Sequence, residues 1–137
     1  SNRRKFSGLK DSSGDLDYAR KLGKRFGYEL EVFTGNDRLL AYALDQHASG
    51  CITALANLIA PDLRELWNEH EAGNSTQIWQ NKIDTYREIS ERFQPFPPLI
   101  KLLLHQTFKF PHWPVCPPLE EFSPQKAIDV QTSFKLA

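Results

Sequence analysis

The chain has 137 residues, enough for one domain with a hydrophobic core and too few for two. Its 17 basic and 17 acidic side chains give a formal net charge of zero, which argues against electrostatic binding of nucleic acid. No stretch approaches the roughly 18 consecutive apolar residues of a membrane span, and no charged-then-apolar leader is evident, so neither a membrane protein nor a secreted one is expected.

The first 75 residues alternate between short apolar stretches and amphipathic ones, with a repeat of roughly 20 to 25 residues. Strands are predicted over residues 6–10, 29–35 and 50–57, and helices over 15–27, 36–47 and 60–73. Asp15 is placed to cap the first helix and Gly27 to end it, while Pro61 suits the first turn of the third. Either Asn36 or Asp37 can cap the second helix.

The order strand–helix, repeated three times, predicts right-handed crossovers and a parallel sheet. After residue 75 the pattern changes. A long amphipathic helix is predicted over 75–93 and a shorter apolar one over 97–108, followed by a tail of helix and extended coil. Eight of the nine prolines follow residue 94, and no flexible linker separates the two parts. We therefore predict one domain, with three strand–helix units in 1–75 and a helical region in 76–137.

Three parallel strands are too few to make a well-covered sheet with helices outside it. A (β/α)8 barrel needs eight strands and typically about 250 residues. The predicted fold class is therefore α/β, as the C-terminal part of a (β/α)8 TIM barrel with a C-terminal helical extension. On this interpretation about five strand–helix units are absent from the chain.

Lys10 stands at the end of the first predicted strand, just before the turn "DSSGD". In a parallel α/β fold, active sites lie at the carboxyl ends of the strands. By strand alternation Lys10 shares a face with Gly8, which has no side chain and so leaves room for a ligand or an incoming backbone. An apolar barrel interior would disfavour the ammonium relative to the neutral amine, which is a nucleophile that condenses with ketones.

Three motifs in this order resemble the dihydrodipicolinate synthase / N-acetylneuraminate lyase family of pyruvate-dependent class I aldolases. "GLKDSSGD" resembles the family's lysine strand, "FTGND" the end of the next strand, and "SGCITALANLIAP" the last strand. "PPLIKLLLHQTF" and "WPVCPPLEEFS" resemble its C-terminal helical region. The matching positions are Gly8, Leu9, Lys10, Ser13, Gly14, Asp15, Gly35, Asp37, Gly50, Ile52, Asn57 and Pro61. The resemblance implies barrel strands six, seven and eight.

By this resemblance Lys10 is the Schiff-base lysine. Ile52 would line the pyruvate pocket, and Gly35 and Asn57 would shape its floor and rim. The implied partners are a 2-oxo acid and an aldehyde, joined or cleaved through a covalent imine on Lys10 without a cofactor. The resemblance also implies a homo-oligomer, a dimer or tetramer, once the barrel is complete.

The family's carboxylate-binding turn and its proton-shuttling tyrosine belong to earlier strands and have no counterpart here. A lysine without them lacks much of its positioning, so little turnover is expected from the 137 residues alone. Two alternatives stay open: a truncated relative that acts in binding or assembly, and a small α/β domain that binds a phosphorylated ligand at "TGND". The synthase, neuraminate lyase and sugar-acid aldolase branches also stay open.

The remaining reactive side chains give no further site. Cys51 and Cys116 lie far apart and lack metal-ligand spacing, so free thiols in a reducing, cytoplasmic setting and no metal are expected.

Overall fold

A computed structural model of the protein describes residues 6–135. It contains three strands and six helices in those residues, joined by short turns and by one extended segment over 109–123. In chain order they are β1 (Gly8–Asp11), α1 (Leu16–Phe26), β2 (Glu31–Thr34), α2 (Leu40–Asp45), β3 (Gly50–Cys51), α3 (Ala56–Glu71), α4 (Gln77–Glu91), α5 (Phe96–Phe108) and α6 (Pro124–Lys135).

The three strands form one parallel sheet in the order β1-β2-β3, as the alternating pattern predicts. Lys10 pairs with Phe33, and Phe33 pairs with Gly50. One residue further along, Asp11 pairs with Thr34, and Thr34 with Cys51. The carboxyl ends of all three strands therefore meet at one edge of the sheet.

The two faces of this sheet have different environments. On β2, Val32 and Thr34 are buried, whereas Glu31 is exposed and Phe33 is only partly covered. Successive strand residues point to opposite faces, so one face packs on the helices and the other is uncovered within residues 6–135. The uncovered face includes Lys10, which is exposed. In a closed barrel this face would be the inner one.

The hydrophobic core lies on the helical side of the sheet. Its main cluster is formed by α2, α3 with the turn before it, α4 and α5, and a smaller cluster joins α5 to α6. The buried residues are Leu40, Leu44, Leu55, Ile59, Leu63, Leu66, Ile83 and Ile100 in the first cluster, and Leu99, Leu103 and Val130 in the second. The C-terminal helices therefore pack against the strand–helix units through a shared hydrophobic core.

The caps of α1 are those that the sequence predicts. Asp15 accepts a hydrogen bond from the Tyr18 amide at 2.8 Å, and Gly27 ends the helix. The next helix starts with a 3₁₀ turn over Asp37–Leu39, and Asn36 is its cap because its Oδ1 accepts from the Arg38 amide at 3.1 Å.

The third predicted strand, over 50–57, is wrong beyond Cys51. The strand ends at Cys51, the chain turns at Ala54 and Leu55, and α3 already begins at Ala56. Short apolar runs do not distinguish a strand from a helix start, which accounts for the error. Pro61, predicted in a first helical turn, lies within α3 just after a kink at Ile59 (φ −121°, ψ 27°). The proline has no amide hydrogen to donate, so the helical path restarts there.

The C-terminal region consists of α4, α5, an extended segment and α6, and the described part of it contains no strand, as predicted. Helix α5 is the most apolar of these helices, yet no helix among residues 6–135 is both long enough and apolar enough to cross a membrane.

Candidate active site

Lys10 is the penultimate residue of β1, at the carboxyl end of the sheet and on its uncovered face. Its side chain is exposed, so the expected enclosure by apolar walls is not present among residues 6–135. The reason is geometric: a three-stranded sheet presents this face to solvent, whereas a closed barrel would surround it. The position at the strand end agrees with the prediction; the burial does not.

Gly35 packs directly against the stem of Lys10. A Cβ atom at Gly35 would lie 2.8 Å from Lys10 Cε and 3.0 Å from the Asp11 carbonyl oxygen, and would also collide with Ser12 Oγ. Ordinary contacts between carbon atoms are about 3.5–4.0 Å. A glycine is therefore required here for the lysine to keep its present path.

Gly8 packs against the neighbouring strand. The space beside it is filled by the backbone of β2, because a Cβ at Gly8 would lie 2.5 Å from the Glu31 carbonyl oxygen. Of the two expected occupants, a ligand or an incoming backbone, the structure shows the backbone. Gly8 thus permits close approach of β1 and β2 beneath the lysine.

The turn after Lys10 is held by its own side chains. Asp11 accepts hydrogen bonds from the Ser13 amide at 2.9 Å and from its hydroxyl at 3.1 Å, and the Ser13 hydroxyl accepts from the Asp15 amide at 3.2 Å. Gly14 has φ +71°, and a Cβ there would lie 3.1 Å from Asn36 Nδ2. The sequence "DSSGD" therefore forms a fixed turn that packs against the turn after β2.

The predicted residues of the third unit lie at the same edge but in different settings. Ile52 follows β3 directly, donates its amide to the Thr34 carbonyl at 2.9 Å, and is 49% exposed. Asn57 lies in the first turn of α3, where its side-chain amide donates to the Ala54 carbonyl at 2.9 Å. Ile52 thus lies at a strand end, as Gly35 does, whereas the Asn57 amide is bound locally.

A buried carboxylate links these strand ends. Asp37 is completely buried, and Thr53 Oγ1 donates to its Oδ2 at 2.5 Å. Arg87 Nη1, from α4, lies 3.4 Å from the same oxygen. From the sequence alone, Asp37 is indicated only as a helix cap or as a position that matches the family pattern, and Arg87 is not indicated at all. The sequence feature that could have indicated Arg87 is its spacing: it lies four residues after Ile83 and therefore on the buried side of α4.

Cys51 packs at the edge of the main hydrophobic cluster. Burial, together with the nearby Asp37 carboxylate, raises the pKa of its thiol to about 11. The thiolate is the reactive form of cysteine, so this thiol is a packing group and not a nucleophile at neutral pH.

The comparisons with known proteins agree on one family. The family model described as the dihydrodipicolinate synthetase family matches residues 1–135. An uncharacterized DapA-like lyase from Chloroflexus aurantiacus is 30% identical over 130 residues, which cover 95% of this chain and 43% of that protein.

Solved structures show the same relationship. A dihydrodipicolinate synthase homologue from Thermus thermophilus aligns with a TM-score of 0.78 and 29% identity, over 95% of this chain and 46% of that one. A prophage protein of the dihydrodipicolinic acid synthase family from E. coli K12, solved in complex with pyruvate, aligns with a TM-score of 0.84 at 18% identity, over 94% and 45%. The chain thus spans less than half the length of these proteins, which is consistent with a partial barrel.

Proposed function

This chain belongs to the dihydrodipicolinate synthetase family, and we propose that it carries the Schiff-base lysine of a pyruvate-dependent aldolase or lyase. The proposal assigns its strands to positions six to eight of a barrel whose other strands come from a further segment or chain. The observation that carries it is the position of Lys10. The amine belongs to the penultimate residue of β1, on the uncovered face of the sheet, and its stem packs against Gly35.

The proposed chemistry follows from a primary amine at this position. Lys10 Nζ attacks the ketone carbon of a 2-oxo acid, and loss of water gives an iminium. Removal of a methyl proton then gives an enamine, because the positive nitrogen accepts the electron pair. The enamine attacks an aldehyde, and hydrolysis frees the lysine; the reverse sequence cleaves the product. Ile52 and Gly35 are the proposed neighbours of the bound 2-oxo acid.

The isolated chain is proposed to be a poor catalyst. Lys10 is exposed, and no apolar layer covers its face within the described residues, so an imine there would be open to hydrolysis. A complete barrel would enclose the amine and supply the groups that bind carboxylate and move protons. In that state the partners are a 2-oxo acid and an aldehyde, and the assembly is a dimer or tetramer.

The test is to trap the imine with borohydride in two proteins. One is the 137-residue chain alone. The other is a chimera in which the N-terminal part of the Chloroflexus aurantiacus relative precedes this chain. With pyruvate and borohydride, we expect a stable mass gain on Lys10 in the chimera and little in the chain alone.

Two variants of the chimera serve as controls. Lys10→Ala should abolish the adduct, whereas Lys24→Ala, which removes an exposed lysine of α1, should leave it unchanged. A folded chimera that forms no adduct, or forms it equally on other lysines, would refute the proposal.

A second candidate function is that of a truncated, non-catalytic relative. The uncovered sheet face favours it. It predicts stable association with a partner chain, and no imine in either protein.

The phosphate-binding alternative has less support, because two amides of the "TGND" turn and the amide of the Arg38 that follows it already have acceptors. The Gly35 amide donates to Asp11, that of Asn36 to Thr34 Oγ1, and that of Arg38 to Asn36 Oδ1.

A further inference from the structure

We propose that Asp37 and Arg87 are positioning residues of the lysine site, so that the C-terminal helical region sets the geometry of the strand ends. The predicted effect on imine formation at Lys10 rests on the proposed function. The predicted effect on the positions of the Gly35 and Ile52 turns does not. Neither residue faces Lys10. They act through the two turns that carry Gly35 and Ile52.

Asp37 is placed to hold both turns at once. It lies two residues after Gly35, and its carboxylate accepts from the hydroxyl of Thr53, which directly follows Ile52. Thr53 also accepts from the Leu55 amide at 3.4 Å, which ties the same bond to the start of α3. One buried carboxylate therefore fixes the ends of β2 and β3 relative to each other.

A buried carboxylate needs an opposite charge or full hydrogen bonding, because removing it from water is costly. Asp37 is 0% exposed, and Arg87 Nη1 lies 3.4–3.5 Å from its two oxygens. The Arg87 side chain is itself only 20% exposed. The counter-charge for the strand-end turns is thus supplied from α4, fifty residues later in the chain.

The arginine is held in place by two further contacts. Its Nε donates to Glu91 at 2.8 Å, and its guanidinium lies 5.0 Å from the ring centroid of Phe96. A planar guanidinium can make all three interactions together, whereas the single ammonium of lysine cannot. Arg87→Lys should therefore keep the positive charge near Asp37 but lose part of the contacts with Glu91 and Phe96.

A second side chain of α4 binds the same turn. Gln80 Nε2 donates to the Asp37 backbone carbonyl at 3.1 Å, and Gln80 Oε1 accepts from the Ala41 amide at 3.0 Å. Gln80 is itself buried. Helix α4 thus contacts Asp37 at both its side-chain carboxylate and its backbone carbonyl. A shift of the turn that contains Asp37 would move Gly35 relative to Lys10.

The test compares Arg87→Gln, Arg87→Lys and the double variant Asp37→Asn/Arg87→Gln. In the 137-residue chain, NMR should show that Arg87→Gln shifts the amide signals of Gly35 and Ile52. In the chimera, trapping of pyruvate on Lys10 should slow by about tenfold or more, since displacements of about 1 Å can cost up to about a hundredfold. Arg87→Lys should restore part of this loss.

Two variants separate positioning from general stability. Arg92→Gln removes the exposed ion pair with Glu88 on the same helix and should change neither measurement. Ile83→Val truncates the core beneath α4. It should lower the melting temperature without slowing the trapping.

The outcomes distinguish the two proposals. If the unmodified chimera traps no pyruvate, the proposed function fails, and the NMR signals still decide the present inference. The inference is wrong if Arg87→Gln leaves the Gly35 and Ile52 amide signals unchanged, or if Ile83→Val slows trapping as much as Arg87→Gln does.

If Arg87→Gln does not fold, the double variant Asp37→Asn/Arg87→Gln decides, because it leaves no unpaired buried charge. Unchanged Gly35 and Ile52 signals in that variant would equally overturn the inference.

Discussion

Replacing Gly35 by alanine places a methyl group against the stem of the proposed catalytic lysine. The new Cβ would lie 2.8 Å from Lys10 Cε and 3.0 Å from the Asp11 carbonyl oxygen. Since carbon contacts need about 3.5 Å, the lysine stem must retreat by about 0.7 Å or the turn must move. Overpacking of this kind typically costs about 1–3 kcal/mol of stability, and a displacement near 1 Å can slow a positioned reaction up to about a hundredfold.

The assay is borohydride trapping of pyruvate in the chimera, with thermal unfolding measured on the same samples. Gly73→Ala is the matched control, because Gly73 has φ +73° and a Cβ there would meet nothing within 4 Å. An alanine in that left-handed conformation costs about 1–2 kcal/mol, similar to the expected cost at Gly35. We expect trapping to fall only in Gly35→Ala. Equal trapping rates in the two variants would show that Gly35 does not position the lysine.

Two further predictions concern titrating groups. At pH 8 a thiol reagent should modify the exposed Cys116 and leave Cys51 intact until the protein is unfolded. The pKa of about 11 of the Cys51 thiol leaves only about one molecule in a thousand with a thiolate at that position. Rapid modification of both cysteines in the native state would contradict this prediction. Hydrogen bonds from Arg87 and Arg38 lower the pKa of Glu91, so its ion pairs stabilise the fold above the ordinary value of 4.5 and are lost as the pH falls below it. Glu91→Gln should therefore cost at most about 1 kcal/mol at pH 7, since the side chain is 45% exposed, and the difference from the unmodified protein should shrink in acid denaturation curves.

The order of elements was predictable because it depends on local signals. Apolar stretches alternating with amphipathic ones gave the parallel sheet, and the cap Asp15 and the stop Gly27 gave the limits of α1. The extent of β3 was not predictable in the same way. Residues 52–57 are apolar enough for a strand, but the chain leaves the sheet after Cys51, where Thr53 bonds to a carboxylate from another unit.

The site was predictable only where one strand defines it. Lys10 is found at the strand end that alternation and motif indicated. Its exposure depends on what covers the free face of the sheet, and the Asp37–Arg87 contact joins residues fifty positions apart. This contact depends on how α4 packs against the sheet. The only local sign of it in the sequence is Arg87, a charged residue on the apolar face of α4.

The location of the core on the helical side of the sheet has an evolutionary consequence. Side chains on the opposite face, such as Phe33 and Ile52, contribute little to the folding energy of this part of the molecule. Substitutions there can be accepted without unfolding it, so the surroundings of Lys10 can vary while the helical core keeps the same scaffold.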